Sequence, residues 1–545
     1  MSKNYLKRPL LKINMIRAYS PKKSVFYIIF FNILGKPLGL LTSVLMAYYF
    51  GTGKDLDAFL WSSTFLVLAT GMVVGCWPLV IIPILTTIES KDRDQAQGYI
   101  SALLSYGTLL ILVIGICIYL FAGNIVNLLT NFEITTNIEA VNILRSMVLY
   151  FVFNSIYQIE QAVFNTYRNF KTPAFLVFLS RILVIISLVI FTNFIYINSL
   201  VLGRTLAALL QFSVTLYIIL KMRIAFSLRL SCEWKWIRQT LIMLLPFYVT
   251  ETFHITTEIF YRYKASGLNE GALSYLNYGC LIKDLTVETL AGTLSIVMFT
   301  EFSRSHSTND LRALKNSFYK SIFTVWYMII PISTFLFFFG DILIVLLFKR
   351  GAFNNESAIN SYKVLQILSI GLFAWGGHYF TNKAFFSFHD TITPLIVTIP
   401  NTFIIIILYY YFSQWLSITG ITLALTISGV WCFWLYLFVL HQKHLKMKIS
   451  KFFIKLIELG TISFFCFGIL KYSVYKNYNP FESSFFQLLL NISIALFVPT
   501  LSYLLLTYFM KIPEAINVYG YSLQAKDLII NKIRRYYDRV SITTV

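Results

Sequence analysis

The sequence predicts an all-α integral membrane protein with about 14 transmembrane helices: two six-helix lobes in a parallel pseudo-twofold repeat, plus two extra C-terminal helices. Three observations predict it. The 545 residues are 57% hydrophobic and only 13% charged, too apolar for a water-soluble chain. Apolar stretches of about 20 residues, enough to cross roughly 30 Å of hydrocarbon, recur from end to end. A ten-residue turn also occurs twice: Phe164-Asn-Thr166-Tyr167-Arg168-Asn169-Phe-Lys171-Thr172-Pro173 returns 221 positions later as Phe385-Phe-Ser387-Phe388-His389-Asp390-Thr-Ile-Thr393-Pro394. A weaker echo, Gly203-x-Thr205-Leu206-Ala207 against Gly420-x-Thr422-Leu423-Ala424, follows each copy. Repeats of this size in an apolar chain point to a transporter built from two related halves.

In chain order, a basic cytoplasmic N-terminus (1–23) leads into an N-lobe at 24–221. Its spans are predicted near 24–50, 58–88, 98–122, 139–166, 172–193 and 196–221. A cytoplasmic linker (222–238) precedes a C-lobe at 239–440, with spans near 239–262, 271–301, 316–340, 358–387, 392–412 and 417–440. A basic linker (441–451), two further spans (452–474 and 483–510, within 452–510) and a basic cytoplasmic tail (511–545) complete the chain. The repeated turns fall between spans four and five and between spans ten and eleven. The unit is therefore six spans, and an even number gives both copies one orientation. In each turn Thr is expected to cap the next helix and Pro to suit its first turn, so the motif reads as topology and packing.

A net charge of +21 would suggest nucleic acid in a soluble protein, but here its position matters more than its sum. Residues 1–23 hold seven Lys or Arg and no acid. Basic residues return in alternate loops: Lys91 and Arg93; Arg168 and Lys171; Lys221, Arg223, Arg229, Lys235 and Arg238; Arg304, Arg312, Lys315 and Lys320; Lys443, Lys446, Lys448 and Lys451. The loops at 123–138, 194–199 and 412–417 hold no basic residue at all. The positive-inside rule then places both termini in the cytoplasm of a multi-pass protein, with no nucleic-acid partner. The tail from Lys526 to Arg539 reads as a segment beside anionic lipid. The basic start runs into a full-length span without a cleavage site, so the first span is expected to stay as an anchor.

Chemistry of other classes is not indicated. The six cysteines, Cys76, Cys117, Cys232, Cys280, Cys432 and Cys466, are scattered without CxxC or CxxH spacing, so neither a disulfide framework nor a zinc site is supported. There is no Walker A, GxSxG or HExxH sequence. No enzyme activity, cofactor or metal is predicted.

Charges at mid-bilayer cost at least about 2.5 to 3.5 kcal/mol each, so those present need a partner or a watery cavity. Lys36 lies mid-span within Gly35-Lys36-Pro37-Leu38-Gly39, where proline and glycine are expected to loosen the helix. Span seven carries Glu251, His254 and Glu258 at i, i+3 and i+7, on one helical face. Span eight adds Lys283, Asp284 and Glu288. These form a candidate ion-coupling or cavity set. Glu251 and His254 have three competing readings: proton or cation coupling, a metal site, or ion pairs with Lys36 or Lys283. Glu160 and Arg181, on adjacent spans, read as a structural pair.

Several of these motifs resemble the lipid II flippases, the MurJ or MviN family, within the multidrug/oligosaccharidyl-lipid/polysaccharide (MOP) exporter superfamily. Lys36-Pro37-Leu38-Gly39 is similar to the family's Arg-x-Leu-Gly, and Phe50-Gly51-x-Gly53-x-x-x-Asp57-Ala58-Phe59 to its Phe-Gly-x-Gly and Asp-Ala-Phe signature. Pro83-Ile84-Leu85, Glu288 followed by Gly292, Leu347-Phe348-x-x-Gly351-x-Phe353, and Asp390 to Pro394 also fit. The match runs in order over most of spans one to twelve. This chain departs at Thr42-Ser43, where the family carries Arg-Asp, and at Ala69-Thr70, where it carries paired arginines.

The resemblance implies a carrier that makes no covalent change. A polyprenyl-diphosphate-linked sugar precursor, lipid II-like, would pass from the cytoplasmic to the periplasmic leaflet of a bacterial inner membrane by alternating access, for peptidoglycan biosynthesis. Membrane potential, or a coupling proton or sodium ion, would drive it. By the same implication Lys36, Asp57 and Lys283 bind substrate, and the last two spans form a groove for the lipid tail. The lost arginines leave open another cargo, an O-antigen or exopolysaccharide precursor. A cation-coupled drug antiporter fits the acidic face of span seven, and a membrane scaffold fits the extra spans.

Overall fold

In the computed structural model the chain is described over residues 21–167, 169–221, 233–390 and 392–516. The expectations for segment 1–20, Arg168, Arg223, Arg229, Cys232 and the tail beyond residue 516 lie outside the described residues. Among the described residues every regular element is helical. Each expected span coincides with a helix or a helix pair. Two compact units emerge, residues 1–277 with 350–357, and residues 278–349 with 358–545.

The first unit contains α1 (Pro21–Phe50), α2 (Lys54–Thr70), α3 (Trp77–Glu89), α4 (Arg93–Leu129), α5 (Ile134–Ser146), α6 (Val148–Thr166), α7 (Lys171–Ile195), α8 (Asn198–Lys221), α9 (Trp234–Ser266) and the start of α10 (Ala272–Val287). Here α7 packs on α8 and α1, and α6 packs on α8, α4 and α3. The repeat assigns α9 to the C-lobe, yet in this structure it packs against α2, α3 and α4. Tyr248 accounts for part of that: its hydroxyl accepts from Trp77 Nε1 (3.0 Å) and donates to the Val73 carbonyl (3.2 Å).

The second unit holds the rest of α10, α11 (Thr293–Ser307), α12 (Leu311–Phe348), α13 (Asn355–Ile370) beyond its first residues, α14 (Leu372–Ser387), α15 (Ile392–Lys443), α16 (Ser450–Ser473) and α17 (Phe485–Phe509). Its centre is α12, which packs against α11, α14, α16 and α17. Trp326 of α12 is fully buried among Phe373, Phe433 and Phe452. The two C-terminal spans, read as an addition, are thus built into this unit.

Nine described helices are long and apolar enough to cross a membrane, or ten when α5 and α6 count as one span bent by 44°. One of the nine, α15, is two helices joined at Ser417. Outward-facing Phe194 and Phe486 are each 81% exposed, which suits hydrocarbon and not water. The helices that fail the same test are informative. They are α9, the α10–α11 pair and the α13–α14 pair, which carry Glu251 and Glu258, Lys283 and Asp284, and Lys363 and Lys383.

The repeated turn has one geometry in both copies. Asn169 Oδ1 accepts from the Thr172 amide (3.3 Å) and hydroxyl (3.2 Å). Asp390 likewise accepts from the Thr393 amide (3.0 Å) and hydroxyl (2.7 Å). The capping side chain is therefore Asn or Asp, three residues before the Thr expected to do it, because a short side chain there reaches the free amides of the first turn. A second pair of matched points follows: Tyr196 (φ 47°, ψ −126°) and Ser417 (φ 52°, ψ −129°), also 221 residues apart. The Gly-x-Thr-Leu-Ala echoes are 217 apart, so they sit one helical turn out of step with these joints.

Candidate functional site

Two spans contain a π-helical segment, Gly71–Gly75 between α2 and α3 and Glu288–Gly292 between α10 and α11. Such single-turn bulges break the i→i−4 ladder and gather at functional sites. Charge sits beside both. Glu251 Oε1 lies where a Cβ on Gly71 would come within 3.1 Å of it, so glycine makes room for the carboxylate. Glu288 opens the second bulge, and Gly292 closes it facing Tyr379.

On α9, His254 Nδ1 is 4.0 Å from Glu251 Oε1, and Glu258 Oε2 is 3.8 Å from Arg262 Nε. Arg262, not singled out in the sequence, is the i+4 partner of Glu258. Among the described residues no three His, Cys, Asp or Glu side chains are placed to hold a metal. In the second unit Lys283 pairs with its own neighbour Asp284 at 2.9 Å and lies 4.8 Å over the Trp375 ring, a cation–π seat that lowers the cost of its charge.

Asp57 is held by neighbours within the first unit. It is 4% exposed, and its Oδ1 accepts from the Ser274 amide (2.8 Å) and hydroxyl (2.6 Å) while Oδ2 accepts from the Gly271 amide (2.9 Å). Three donors therefore occupy its two oxygens. Around it the chain is tightly knotted. Lys54 N donates to Glu270 Oε1 (2.9 Å), Ala352 N donates to the Tyr48 carbonyl (2.9 Å), and the Thr52 and Ser357 hydroxyls meet at 2.7 Å. Gly51, Gly271 and Gly351 all have positive φ here, and a Cβ on any of them would fall within about 2.5 Å of a carbonyl oxygen. Only glycine permits both the backbone conformation and the approach. The Phe-Gly-x-Gly-x-x-x-Asp and Gly-x-Phe motifs thus meet in one place.

α1 is helical from Pro21 to Phe50, with Pro37 inside it. One expectation is corrected. The pair Glu160–Arg181 does not form. Glu160 is fully buried and takes the Thr215 hydroxyl on Oε2, with Oε1 unpartnered among the described residues. Arg181 instead lies along α1, where a Cβ on Gly35 would be 2.8 Å from its Nη1. The glycine serves as a slot for the guanidinium.

Arg181 opens onto a cavity of about 260 Å³, lined by Gly39, Thr42 and Ser43 of α1, Arg181 of α7, Arg204 of α8 and Asn277 of α10. Arg204 had given no signal in the sequence. The second unit has an apolar cavity of about 530 Å³, bounded by Leu290, Tyr327 and Pro331 on one side and Leu496, Leu501 and Leu504 of α17 on the other.

A family model described as "Lipid II flippase MurJ" matches residues 46–491. The chain belongs to the MurJ lipid II flippase family. Relatives include a "Probable lipid II flippase MurJ" of Buchnera aphidicola subsp. Schizaphis graminum, 23% identical over 90% of this chain and 97% of its own length. Another of the same name, from Buchnera aphidicola subsp. Baizongia pistaciae, is 24% identical over 79% and 84%. The "Lipid II flippase MurJ" of Burkholderia cenocepacia is 22% identical over 73% and 80%. Among solved structures, a lipid II flippase MurJ in an inward closed conformation superposes with a TM-score of 0.76 at 22% identity, covering 88% of this chain and 99% of that one. A multidrug-resistance MATE transporter of the MOP superfamily, inward-facing, gives 0.58 at 17% over 74% and 93%. The MurJ fold is therefore shared well beyond the motifs that first suggested it.

Proposed function

We propose that this chain carries lipid II, a polyprenyl-diphosphate-linked sugar precursor, from the cytoplasmic to the periplasmic leaflet of a bacterial inner membrane, with both termini in the cytoplasm. The observation that carries the proposal is the family match across 46–491, which spans both polar sets, Glu251 to Glu258 and Lys283 to Glu288. Lys36 and Lys283 supply positive charge to the diphosphate. The apolar cavity beside α17 holds part of the lipid chain, since its aliphatic and aromatic walls replace hydrocarbon contacts. Asp57 works through the backbone it holds, tying the α1–α2 turn to the α9–α10 turn while the outer side is closed, and its release accompanies opening.

No covalent step is needed. With the interior negative, moving one negative charge outward through 100 mV releases about 2.3 kcal/mol. A diphosphate carrying about two charges gains roughly 4 to 5 kcal/mol. A proton or sodium ion at Glu251, His254, Glu258, Asp284 or Glu288 resets the empty carrier. The test is complementation of a strain depleted of its lipid II flippase. Growth is expected, and failure by a well-expressed, membrane-inserted protein would sink the proposal.

A second reading is favoured by Thr42-Ser43 and Ala69-Thr70, which stand where the family carries charge: the cargo is another lipid-linked oligosaccharide. Under that reading the protein restores an O-antigen or exopolysaccharide flippase mutant and not a lipid II one.

A further inference from the structure

We propose that Glu160 is a proton-binding site of the first unit: a carboxylic acid that holds its proton while α6 and α8 are packed together and gives it up to water when they part. The inference does not depend on which cargo the chain carries.

The count of protons around Thr215 of α8 carries it. Thr215 Oγ1 lies within hydrogen-bond reach of three oxygens: Glu160 Oε2, the Gln211 carbonyl (2.7 Å) and the Phe212 carbonyl (3.1 Å). A threonine hydroxyl has one proton to give, and a carbonyl has none. With Glu160 ionised, that proton serves either the carboxylate or the carbonyls of its own helix, and the other contact sets lone pair against lone pair. With Glu160 protonated, the acid donates from Oε2 to Thr215. Thr215 then donates to Gln211, the i−4 bond that a threonine inside a helix commonly makes. Each of these close contacts has a proton of its own.

The surroundings favour the neutral form independently. Glu160 and Thr215 are fully buried, as are Ile159, Ala162 and Val163 along α6 and Ile219 along α8. Oε1 has no hydrogen-bond partner among the described residues. An ionised carboxylate would spread its charge onto that bare oxygen with no donor to offset its desolvation. In the acid, Oε1 is a neutral carbonyl oxygen, and leaving it bare costs far less.

No cation takes the place of the proton. Glu160 forms no ion pair among the described residues. The cations of the helices packed on α6 are Lys54, Arg93, Arg145, Arg204 and Lys221. Arg145, Arg204 and Lys221 face the rings of Tyr119, Phe59 and Tyr217, and Arg181 of α7 fills the slot at Gly35. The acids of the same helices, Asp55, Asp57, Glu89, Asp94 and Glu139, add only repulsion. The Tyr157 hydroxyl, one turn before Glu160, donates to the Pro173 carbonyl (3.5 Å).

The repeat shows that packing does not require an acid here. The position 221 residues on is Thr381 of α14, also fully buried, its hydroxyl donating to the His378 carbonyl (2.9 Å) of its own helix. The second unit fills the equivalent place with a neutral side chain. The acid is peculiar to the first unit, and an intramembrane ionisable group without a structural pair is functional by default.

Release breaks the Glu160 O–H bond; the proton leaves on water and the electron pair stays with the carboxylate. The charge left on α6 has no partner on α8, so the two helices close again only after a proton returns. Proton binding and α6–α8 packing are thus one linked equilibrium.

The experiment is infrared difference spectroscopy of the full-length protein in nanodiscs near neutral pH, wild type minus Glu160→Gln. The expected difference is the C=O stretch of a protonated carboxyl group, shifting only slowly in D2O because exchange needs α6 and α8 to open. Thr215→Val removes the acceptor and should raise the frequency of the band without abolishing it. Should Glu160→Gln not fold, the shift between wild type and Thr215→Val reads the same proton. A carboxylate stretch in place of the carboxyl band overturns the inference, and so does exchange as fast as that of a surface acid.

A second measurement follows stability against pH. The folded wild type holds a proton that the unfolded chain, whose glutamates titrate near about 4.3, has lost, so raising the pH costs it stability; the glutamine variant has no such group. From about pH 5 upwards, the folding equilibrium constant of the wild type is expected to fall relative to Glu160→Gln by up to about tenfold per pH unit. A wild-type advantage that grows with pH is the signature of a paired carboxylate and overturns the proposal.

Discussion

Ser417 is exposed and held at φ 52°, ψ −129°, a conformation that glycine adopts freely and other residues do not. Ser417→Gly is expected to raise the thermal stability of the purified protein by about 1 kcal/mol, and Ser417→Val to lower it by at least as much. A melting scan of the three proteins decides it, and Val as stable as Ser would count against strain at this joint. Asp390 gives a charge-based case in the other repeated turn. Burial opposes its ionisation, but Lys443 Nζ and His444 Nε2, each at 2.8 Å, and Thr393 outweigh burial and hold its carboxyl well below the usual range. A carboxylate with a depressed native pKa stabilises above its unfolded value of about 4 and loses that contribution as pH falls through the native value. Asp390→Asn should therefore cost about 1.5 to 3 kcal/mol near neutrality. The gap to wild type should shrink below about pH 4; a gap independent of pH would remove the charge from the explanation. Neither effect could be read from the residues alone, because the strain is a backbone angle and Lys443 and His444 lie at and just past the far end of α15.

At the scale of elements, small residues set how closely helices approach. Gly377 of α14 would place a Cβ 2.4 Å from Phe433 of α15, and Gly429 would meet the Trp375 indole at 2.6 Å. Gly377→Ala must displace a fully buried ring and is expected to cost about 1 to 3 kcal/mol, measured as a shift in melting midpoint. No shift would mean that the ring relocates freely. The knot at the α1–α2 turn is less forgiving, since Gly51 meets the Ala352 carbonyl and not a mobile side chain. Gly51→Ala should abolish export in the complementation assay while leaving α1 and α2 inserted. Asp57 shows why part of this site was hidden. An acid in a family motif invites a ligand, whereas two of its three donors, the amides of residues 271 and 274, are backbone groups with no signature in the sequence. Arg181 was legible as a costly charge, but adjacency on neighbouring spans suggested Glu160 as its partner, and only the packing of α1 on α7 shows it filling the slot at Gly35.

For the whole molecule, the proposed orientation, with both termini in the cytoplasm, rests on loop charge and not on packing. A C-terminal tag is expected to become accessible to antibody only after the inner membrane is permeabilised, and a cysteine placed at Ile134 to react with an impermeant reagent in intact spheroplasts. Labelling with the opposite pattern would invert the assignment. The sequence by itself determined the helical class, the presence of many apolar helices and the family, because hydrocarbon thickness and turn chemistry act locally and each leaves a pattern of residue types. Tertiary structure alone decided which charges face one another: Arg181 with Arg204 around one cavity, Glu258 with Arg262, Asp57 with two backbone amides, and α9 against α2, α3 and α4. Those outcomes depend on depth and rotation of helices far apart in the chain. Hydropathy fixes where a helix enters and leaves the bilayer, and packing fixes which way its side chains turn.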